Sequence, residues 1–182
     1  MPNGTWCVPG VTLELLDGTA AAARQDEVRA LHAEVCADDP AGFAARYRTA
    51  RRQPGFALAE ARHGAFLIGY AFGMPLRPST SWWRQLTTPL PEEVTAEHPG
   101  RTFALAELVV RAAWRRQGTG RSLHDLILAG RPEERATVTV TPAATAAQSA
   151  FRSWGWRRVA RTRDAGPGSQ MADVLLIALH SA

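Results

Sequence analysis

The stretch "RRQGTG", residues 115–120, joins two apolar segments that follow different periods. The segment before it, "TFALAELVV" at Thr102–Val110, is a nearly continuous apolar run and predicts a buried strand. In the segment after it, "RSLHDLILAG", apolar residues recur at helical spacing, which predicts a helix over residues 120–129 that stops at Gly130. The stretch is therefore a glycine-containing loop between a strand and a helix.

A loop of this kind suits an anion. Backbone N–H groups at the start of a helix converge on one point, and the positive end of the helix dipole lies behind them. Gly118 and Gly120 let the main chain approach a ligand closely, and Arg115, Arg116 and Arg121 add positive charge. The loop predicts a phosphate or pyrophosphate site, although glycine and arginine can also stand at a helix start for turn geometry alone.

Two familiar phosphate-binding motifs do not fit the loop. A P-loop ends in Gly-Lys-Ser/Thr, and the chain contains no lysine. The Rossmann fingerprint belongs near the first strand of its domain and needs a third glycine where this chain has Leu123.

The composition predicts one globular domain. The chain has 182 residues, of which 46% are hydrophobic, enough for one core, so we expect a single domain over residues 1–182. No run approaches the 18 apolar residues typical of a membrane span, and the first ten residues lack the regions of a signal peptide. Cys7 and Cys36 follow no metal-ligand spacing. We expect a cytoplasmic protein with no membrane partner and no metal.

The positive charge of the chain is scattered. The formal net charge is +4, and all 21 basic residues are arginines, so catalysis through a lysine Schiff base is excluded. Only three pairs of arginines are adjacent in the sequence, which favours local anion contacts over a nucleic-acid surface. We therefore expect no nucleic-acid partner.

The order of elements predicts an α/β fold. Strands are predicted at residues 11–16, 56–62, 65–74, 102–110, 136–140, 156–162 and 172–179. Helices are predicted after Asp17-Gly18 from Thr19 or Asp26, after the cap Asp39, over 120–129, and from Pro142 to Trp154. Residues 76–100 show no period and predict a long loop, and residues 164–170 predict a turn. Hairpins and a strand–helix–strand crossover together require a mixed sheet with helices on both faces.

Two motifs together resemble the Gcn5-related N-acetyltransferase (GNAT) superfamily. The loop matches its Arg/Gln-x-x-Gly-x-Gly/Ala motif through Arg115, Gly118 and Gly120. The stretch "TPAATAAQSAFRSWGW" resembles its last helix, where Asn-x-x-Ala-x-x-x-Tyr-x-x-x-Gly-Phe is usual. At those offsets this chain has Ala144, Ala147, Phe151, Gly155 and Trp156. Close similarity covers roughly residues 102–158, and the preceding order of elements agrees with the topology of the family.

The resemblance implies a GNAT-like single domain, α/β or α+β by scheme. Its sheet would be mixed, mostly antiparallel and seven-stranded, with a splay between the fourth and fifth strands. It also implies acetyl-CoA as co-substrate, with the pantetheine arm along the fourth strand and the pyrophosphate on residues 117–122. The implied cofactor-binding residues are Leu108, Val109, Val110, Arg115, Arg116, Gln117, Gly118, Thr119, Gly120, Arg121, Ser122 and Phe151.

Glu107 is the candidate general base for deprotonating an amine that attacks the thioester. It interrupts an apolar strand, and alternation places it on the face opposite Leu108 and Val110. A structural carboxylate bonded to backbone is the alternative reading, and Glu60 is a second candidate base. His124 falls off the apolar stripe of its helix and is not a candidate.

Phe151 departs from the family pattern, which usually has a tyrosine at this position. The resemblance implies that such a tyrosine protonates the leaving thiolate of CoA. Phenylalanine has no proton to give, so water or Ser149, on the same helix, would have to supply it. The function implied is N-acetyltransferase activity, with a GNAT-fold protein that binds acyl-CoA or a natural product without turnover as the alternative. A nucleic-acid-associated regulator that uses its arginines is a third hypothesis.

The acceptor is predicted only by class. Tyr70 and the pair Trp82 and Trp83 are candidates for binding a flat or cationic substrate, although the tryptophans could equally anchor the long loop to the core. We expect a small-molecule or peptide amine as the partner, and a homodimer is compatible with the sequence.

Overall fold

The computed structural model describes residues 10–36, 40–163 and 171–180. The strands are β1 (Val11–Leu16), β2 (Ala57–His63), β3 (Phe66–Pro75), β4 (Thr102–Val110), β5 (Arg135–Val140), β6 (Arg157–Arg163) and β7 (Met171–Ala178). The helices are α1 (Gln25–Val35), α2 (Pro40–Ala50), α3 (Glu92–Thr95), α4 (Thr119–Leu128) and α5 (Thr145–Ser153). The predicted cap Asp39, Cys7 and the predicted turn 164–170 lie outside the described residues.

The strands form one sheet in the order β1-β2-β3-β4-β5-β7-β6. Strand β2 pairs antiparallel with β1 and β3, and β7 pairs antiparallel with β5 and β6. Strands β4 and β5 are parallel, because α4 lies between them in the chain and carries it back along the sheet. The predicted mixed and mostly antiparallel sheet of seven strands is confirmed.

The ladder between β4 and β5 is short. It pairs Thr102 with Arg135, Phe103 with Ala136 and Ala104 with Thr137. Strand β4 continues to Val110, so most of its length lies beyond the end of this ladder. The predicted splay would begin at Leu105.

The chain divides into two compact units, each made of separate stretches. Unit 1 comprises residues 1–74 and 105–131, and unit 2 comprises residues 75–104 and 132–182. The chain passes from one unit to the other within β4, between Ala104 and Leu105. The assignment of residues 1–182 to a single domain stays a prediction.

The main core of unit 1 lies where α1 and α2 cover the sheet. Val28 and Leu31 of α1, together with Phe43 and Tyr47 of α2, have no exposed surface. They cluster with apolar side chains of the strands, which include Leu58, Tyr70, Phe72 and Val109. Burying each large apolar side chain contributes roughly 1.5–3 kcal/mol, so this cluster holds both helices on one face of the sheet.

The opposite face of unit 1 carries α4. A Cβ atom on Gly69 of β3 would lie 2.9 Å from the backbone oxygen of Val109 and 3.1 Å from Cδ1 of Leu123. Only glycine allows that approach of β3 to β4 and α4. Since α1 and α2 cover the other face, the prediction of helices on both faces is confirmed for unit 1.

In unit 2, buried Asp173 of β7 ties neighbouring elements to the sheet. Its Oδ1 accepts a 2.8 Å hydrogen bond from Nε of Arg161 on β6, and its Oδ2 accepts a 3.2 Å bond from Nε2 of Gln148 on α5. The carboxylate therefore fixes both the edge strand and the last helix.

Most predicted boundaries agree with the structure to within one residue, and three predicted segments differ by more. After β1 the chain first forms a 3₁₀ turn, Ala20–Arg24, before α1 begins at Gln25. Thr19, one of the two predicted starts, is the N-cap of this 3₁₀ turn, and Oδ1 of Asp17 accepts hydrogen bonds from the backbone N–H groups of Thr19 and Ala20. The N-cap of α1 is Arg24 and not the predicted Asp26. Helix α5 begins at Thr145, three residues after Pro142. The predicted long loop contains the one-turn helix α3 and an isolated bridge between Leu86 and Thr162.

Candidate active site

The loop after β4 has an unusual backbone. Gly118 has φ 90° and caps the start of α4, and Arg116 has φ 60°, in the left-handed region that most L residues avoid. Holding a non-glycine residue there costs about 1–2 kcal/mol. Left-handed residues near a helix start turn successive N–H groups towards a common point, the arrangement that forms anion-binding concavities.

Four backbone donors of this loop have no partners within the described part of the chain. No hydrogen bond is made there by the backbone N–H groups of Gln117, Gly118, Thr119 and Gly120. The hydroxyl of Thr119 is also buried without a partner, in a residue that is 1% exposed. A buried hydroxyl left unpaired costs about 1–3 kcal/mol. Four free N–H groups and an orphaned hydroxyl are donors for an anion such as a pyrophosphate.

The arginines predicted to bind the anion differ in the contacts that their side chains make with the protein. Nε of Arg115 donates a 2.9 Å hydrogen bond to the carbonyl of Val110, and Nε of Arg121 lies 2.7 Å from Oδ2 of Asp125. Arg115 and Arg116 are both exposed. Arg115 therefore ties the loop to the end of β4 while its charge stays at the surface. Gln117 is held locally, since its Nε2 donates to the carbonyl of Ala113 at 2.8 Å.

The end of β4 packs through its side chains. Val109 and Val110 are 7% and 8% exposed, and Leu108 is half-buried. The ladder with β5 stops at Ala104, so no β5 ladder occupies the backbone of Leu108–Val110 in the described structure. The packing of these side chains agrees with the prediction, and the role of their backbone in binding a ligand stays a prediction.

Glu107 stands at the centre of a polar cluster in unit 1. Its Oε2 accepts a 2.8 Å hydrogen bond from the hydroxyl of Tyr70 and lies 3.1 Å from Nδ1 of His32. Nη2 of Arg46 lies 3.9 Å from its other oxygen, Oε1. The carboxylate is 19% exposed. Its partners are thus side chains from α1, α2 and β3, and no backbone hydrogen bond to it is found in the described part, contrary to the structural alternative.

Two opposing influences act on the pKa of Glu107. Burial raises the pKa above its usual value, while the Tyr70 hydrogen bond, His32 and Arg46 act to lower it. Burial prevails, so the carboxylate is a stronger base than one in water. A base with a raised pKa is what removal of a proton from an ammonium group requires.

Tyr70 and Glu60 are both fully buried, which does not fit the roles predicted for them from the sequence. Tyr70, a candidate for substrate contact, has no exposed surface and faces Glu107 from the interior. Glu60, the second candidate base, is also fully buried, with Oε2 3.0 Å from Nε of Arg62 and 3.4 Å from Nε of Arg24. Glu60 is therefore a structural carboxylate that balances two arginines.

His32 and Arg46 are members of the cluster that sequence reasoning missed. His32 follows Val28 by four residues, so it belongs to the same helical stripe as Val28 and Leu31. It is 2% exposed and stacks on Phe43 with ring centroids 3.8 Å apart. A titratable residue on a buried stripe was the available signal. Arg46, three residues after Phe43, carried no comparable signal.

His124 is buried, contrary to prediction. It is 4% exposed, because the contact surface of α4 is wider than the stripe of Leu123, Leu126 and Ile127. Burial lowers the pKa of His124, against a 2.7 Å contact between its Nδ1 and Oδ1 of Asp125. It does not join the Glu107 cluster.

In unit 2, Trp83 anchors the long loop. It is 9% exposed, and its Nε1 donates a 3.0 Å hydrogen bond to Oε1 of Glu97. The guanidinium of Arg135 also lies 5.6 Å from the centre of its ring. Trp82 is half-buried. The anchoring alternative is therefore the one that the contacts of Trp83 support, although Trp83 also lines a groove of about 400 Å³.

Phe151 and Ser149 lie on different sides of α5. Phe151 is 6% exposed and packs edge-on against Trp154 and Trp156, with ring centroids 5.3 Å apart in both pairs. Ser149 is exposed. Two residues correspond to a rotation of about 200° around a helix, so Ser149 does not stand in for a hydroxyl at position 151.

The described residues contain neither a membrane-spanning helix nor a cluster of metal ligands. No helix among them is long and apolar enough to cross a membrane. No group of three or more histidine, cysteine, aspartate or glutamate side chains in that part of the chain is placed to hold a metal ion.

Comparison with known proteins gives matches in structure only. No protein-family model and no curated protein matches the sequence. The structure resembles the ribosomal-protein-S18-alanine N-acetyltransferase from Escherichia coli, with a TM-score of 0.66, 14% identity, and coverage of 94% of this chain and 96% of that one. It also resembles Arabidopsis thaliana NAA60 in complex with acetyl-CoA, with a TM-score of 0.69, 12% identity, and coverage of 92% and 99%.

A third similar structure is Arabidopsis thaliana Naa50 in complex with the bisubstrate analogue CoA-Ac-MVNAL. It has a TM-score of 0.64, 11% identity, and coverage of 92% of this chain and 98% of that one. At sequence identities this low, the structural similarity establishes the fold, and the function must be argued from the residues. The chain has the fold of the Gcn5-related N-acetyltransferases.

Proposed function

We propose that the protein is an N-acetyltransferase that transfers an acetyl group from acetyl-CoA to an amine of a small molecule or peptide by direct attack. The observation that carries the proposal is the loop at residues 115–120. It presents four N–H groups and the hydroxyl of Thr119, none of which has a partner among the described residues, and it lies a few residues after the strand that bears Glu107. An anion site and a candidate base thus follow one another in unit 1.

The residues present fit acetyl-CoA. A pyrophosphate would accept hydrogen bonds from the N–H groups of residues 117–120, and the start of α4 and the nearby arginines supply positive charge. Pantetheine contains two amides, which the backbone of Leu108–Val110 could pair with as a neighbouring strand would. One N–H of that segment would also stabilise the oxyanion that forms when the thioester carbonyl is attacked.

Glu107 would remove the proton that blocks attack. An acceptor amine is mostly protonated at neutral pH and has no free electron pair until it loses one proton. In the proposed reaction that proton passes to Glu107, the nitrogen bonds to the carbonyl carbon, and the carbon–sulfur bond breaks. The nitrogen then loses a second proton, and the departing thiolate gains one, so the products are an acetamide, a thiol and one proton released to solvent.

The departing thiolate needs little help from the protein. Thiols have pKa values near 8.5, so a thiolate leaves readily near neutral pH and water can protonate it. Phe151 offers no proton, and Ser149 lies on the exposed side of α5. The proposal therefore assigns no general acid to the chain.

The acceptor class follows from the need for an amine. The Escherichia coli relative is named for an alanine of a ribosomal protein, and the Naa50 complex contains a peptide-like bisubstrate analogue. Those substrates belong to those proteins. For this chain we propose a primary amine that reaches the exposed part of Glu107.

A second function is favoured by Phe151. Without the usual tyrosine, the protein could bind acyl-CoA without turnover, and the phosphate loop would serve binding alone. The two functions differ in whether free thiol is released.

The test combines binding and turnover. Titration calorimetry with CoA should show micromolar binding, which Gly120→Val should abolish because its branched side chain occupies space that the pyrophosphate needs. A matched control is Ala129→Val, at an exposed residue after α4 whose extended backbone accepts a β-branched side chain. Incubation with acetyl-CoA and a panel of amines should release free thiol. Binding without thiol release for any amine would support the second function, and unchanged binding by Gly120→Val would show that the loop is the wrong site.

A further inference from the structure

We propose that His32 is a positioning residue that donates a hydrogen bond to Oε2 of Glu107, stabilises the ionised form of the carboxylate, and leaves Oε1 as the oxygen that accepts the proton of the substrate. This inference rests on the proposed function, because it treats Glu107 as the base. It assigns a role in the site to a residue of α1 that none of the sequence motifs includes.

Three polar atoms, one each from His32, Tyr70 and Glu107, lie within hydrogen-bond distance of one another and form a triangle. Nδ1 of His32 lies 3.0 Å from the hydroxyl oxygen of Tyr70 and 3.1 Å from Oε2 of Glu107. The hydroxyl donates to the same Oε2 over 2.8 Å. All three distances are those of hydrogen bonds. The other oxygen, Oε1, is approached only by Arg46, at 3.9 Å, among the charged groups of the described residues.

Counting protons determines the tautomer of His32. Tyr70 has one hydroxyl proton, and it is donated to Glu107. An ionised carboxylate has none. If Nδ1 also lacked a proton, its lone pair would face the lone pairs of two oxygens, in a buried place where such a contact is costly. When Glu107 is ionised, His32 must therefore carry its proton on Nδ1. This N–H then donates a hydrogen bond that is shared by the hydroxyl oxygen of Tyr70 and Oε2 of Glu107.

The number of hydrogen-bond donors also distinguishes the two carboxylate oxygens of Glu107. Oε2 receives donors from both Tyr70 and His32, so a proton added to it would displace one of them. Oε1 has no such donors and can take a proton without disturbing the triangle. In the transfer, the N–H bond of the substrate ammonium breaks and an O–H bond forms at Oε1. The step is a proton transfer without oxidation or reduction, and the hydrogen bonds among His32, Tyr70 and Oε2 stay in place.

The surroundings hold His32 rigidly. Its ring is 2% exposed and stacks on Phe43 at 3.8 Å, with the planes 12° apart. Tyr70 is fully buried beside it. A rigid donor loses little conformational freedom on forming its bond, which makes it effective at orienting a catalytic group.

The charged groups around Glu107 come from three elements. His32 faces it from α1, Arg46 from α2 and the Tyr70 hydroxyl from β3. Glu60 pairs with Tyr70 across β2 and β3, and its Oε2 is engaged by Arg24 and Arg62. Of the facing groups, Arg46 is 56% exposed and screened by solvent, which leaves His32 and Tyr70 as the principal partners.

Removal of the His32 donor should make Glu107 harder to ionise. Donors to a carboxylate lower its pKa, while burial already raises the pKa of this one. Without the donor the pKa should rise further, so the base is protonated, and the enzyme is inactive, up to a higher pH. The acidic limb of the kcat/KM profile, which reports the free enzyme, should move upwards.

The test compares His32→Leu with His32→Asn. Leucine fills the space without a donor, whereas the asparagine amide can place an N–H close to where Nδ1 lies. The acidic limb should shift up by about one pH unit in His32→Leu, which is a roughly tenfold loss of kcat/KM on that limb. It should return to within about 0.3 of a unit in His32→Asn, with thermal denaturation confirming that both variants fold. A limb that stays in place in His32→Leu, or that moves equally in both variants, would overturn the proposal.

A second measurement separates this inference from the proposed function. Carbon-13 NMR of the glutamate side-chain carboxyl groups, with Glu107→Gln used for assignment, follows the titration of Glu107 in the CoA-free protein. An upward shift in His32→Leu that is reversed in His32→Asn supports the role of His32 even if no amine is acetylated. Turnover in the wild type together with an unshifted Glu107 signal in His32→Leu would refute the role of His32 and leave the acetyltransferase proposal standing.

Discussion

The hydroxyl of Tyr70, a side chain with no exposed surface, donates a 2.8 Å hydrogen bond to the partly exposed carboxylate of Glu107. The bond joins the aromatic core of unit 1 to the one carboxylate of β4. A fully buried group therefore influences the acidity of a partly exposed one. Chemical effects of changing Tyr70 should appear through Glu107.

Tyr70→Phe tests this connection. The variant keeps the ring in the core and removes one donor to Oε2, so the pKa of Glu107 should rise. We expect the acidic limb of the kcat/KM profile to move upwards by about half a pH unit to one unit. Stability should fall by about 1 kcal/mol, the net value of a typical hydrogen bond.

Tyr47→Phe is the matched control for Tyr70→Phe. Tyr47 is equally buried, but its hydroxyl donates to the carbonyl of Ala21 and makes no bond to Glu107. It should lose similar stability, measured by urea denaturation, with an unchanged pH profile. Equal profile shifts in the two variants would mean that core loosening, and not the hydrogen bond, controls the limb.

Glu107→Gln should separate catalysis from binding. Removing a general base typically costs 10²–10⁴-fold in rate, and the acidic limb assigned to Glu107 should disappear. Affinity for CoA should change little, because the donors of the loop belong to residues 117–120. Thiol-release kinetics across pH, together with calorimetry, measure both. A variant with full activity at neutral pH would return Glu107 to a structural role.

The same variant should change how stability depends on pH. Burial raises the pKa of Glu107 in the folded state, so the folded protein binds more protons than the unfolded chain above the unfolded value of about 4.3. Wild-type stability should therefore fall as pH rises from about 4.3 to the folded pKa. Glutamine has no proton to lose. The Tm of Glu107→Gln relative to wild type should increase across that window and level off above it, and a constant difference would contradict the assignment.

Thr119→Val should affect stability and ligand binding in opposite directions. Valine has nearly the shape of threonine and removes a buried hydroxyl that has no partner in the described structure. Since an unpaired buried hydroxyl costs about 1–3 kcal/mol, the Tm of the CoA-free variant should rise. Affinity for CoA should fall by about tenfold if the hydroxyl bonds the pyrophosphate. Thr119→Ser, which keeps the hydroxyl, is the control for affinity.

Local pattern was enough to predict the elements, and less so the site. Strand Thr102–Val110 agrees with prediction because a continuous apolar run is bounded by clear turn residues. Glu107 could be found because a carboxylate in such a run stands out. The role of Tyr70 could not, since a tyrosine on a strand is as compatible with a surface as with a core. Burial is set by tertiary contacts with α1 and α2, which lie far away in sequence.

Helical position was also an incomplete guide. His32 lies on the buried stripe of α1, but only the structure shows that a tyrosine and a glutamate meet it there. His124 was placed on the wrong side because α4 is covered over more of its circumference than the three apolar residues mark. Ser149 shares a helix with Phe151, yet the rotation between them puts it in solvent.

Phe151→Tyr tests whether the chain lacks a general acid. Phe151 is 6% exposed and lies edge-on to Trp154 and Trp156, so a tyrosine can keep the ring in place and add one hydroxyl at its tip. If that tip faces the departing sulfur, the hydroxyl can protonate the thiolate. We expect turnover to rise by up to about 10²-fold, the lower end of the range for general acid–base catalysis, because a thiolate is already a fair leaving group.

The pH dependence distinguishes that gain from a packing effect. Above about pH 8 hydronium is scarce, whereas a phenol with a pKa near 10 still carries its proton, so the advantage of Phe151→Tyr should be greatest there and affinity for CoA should be unchanged. Phe151→Leu, which alters packing without adding a proton, should lower turnover equally at all pH values. Turnover that falls or stays flat in Phe151→Tyr would show that position 151 serves packing alone, and that water completes the reaction in this protein.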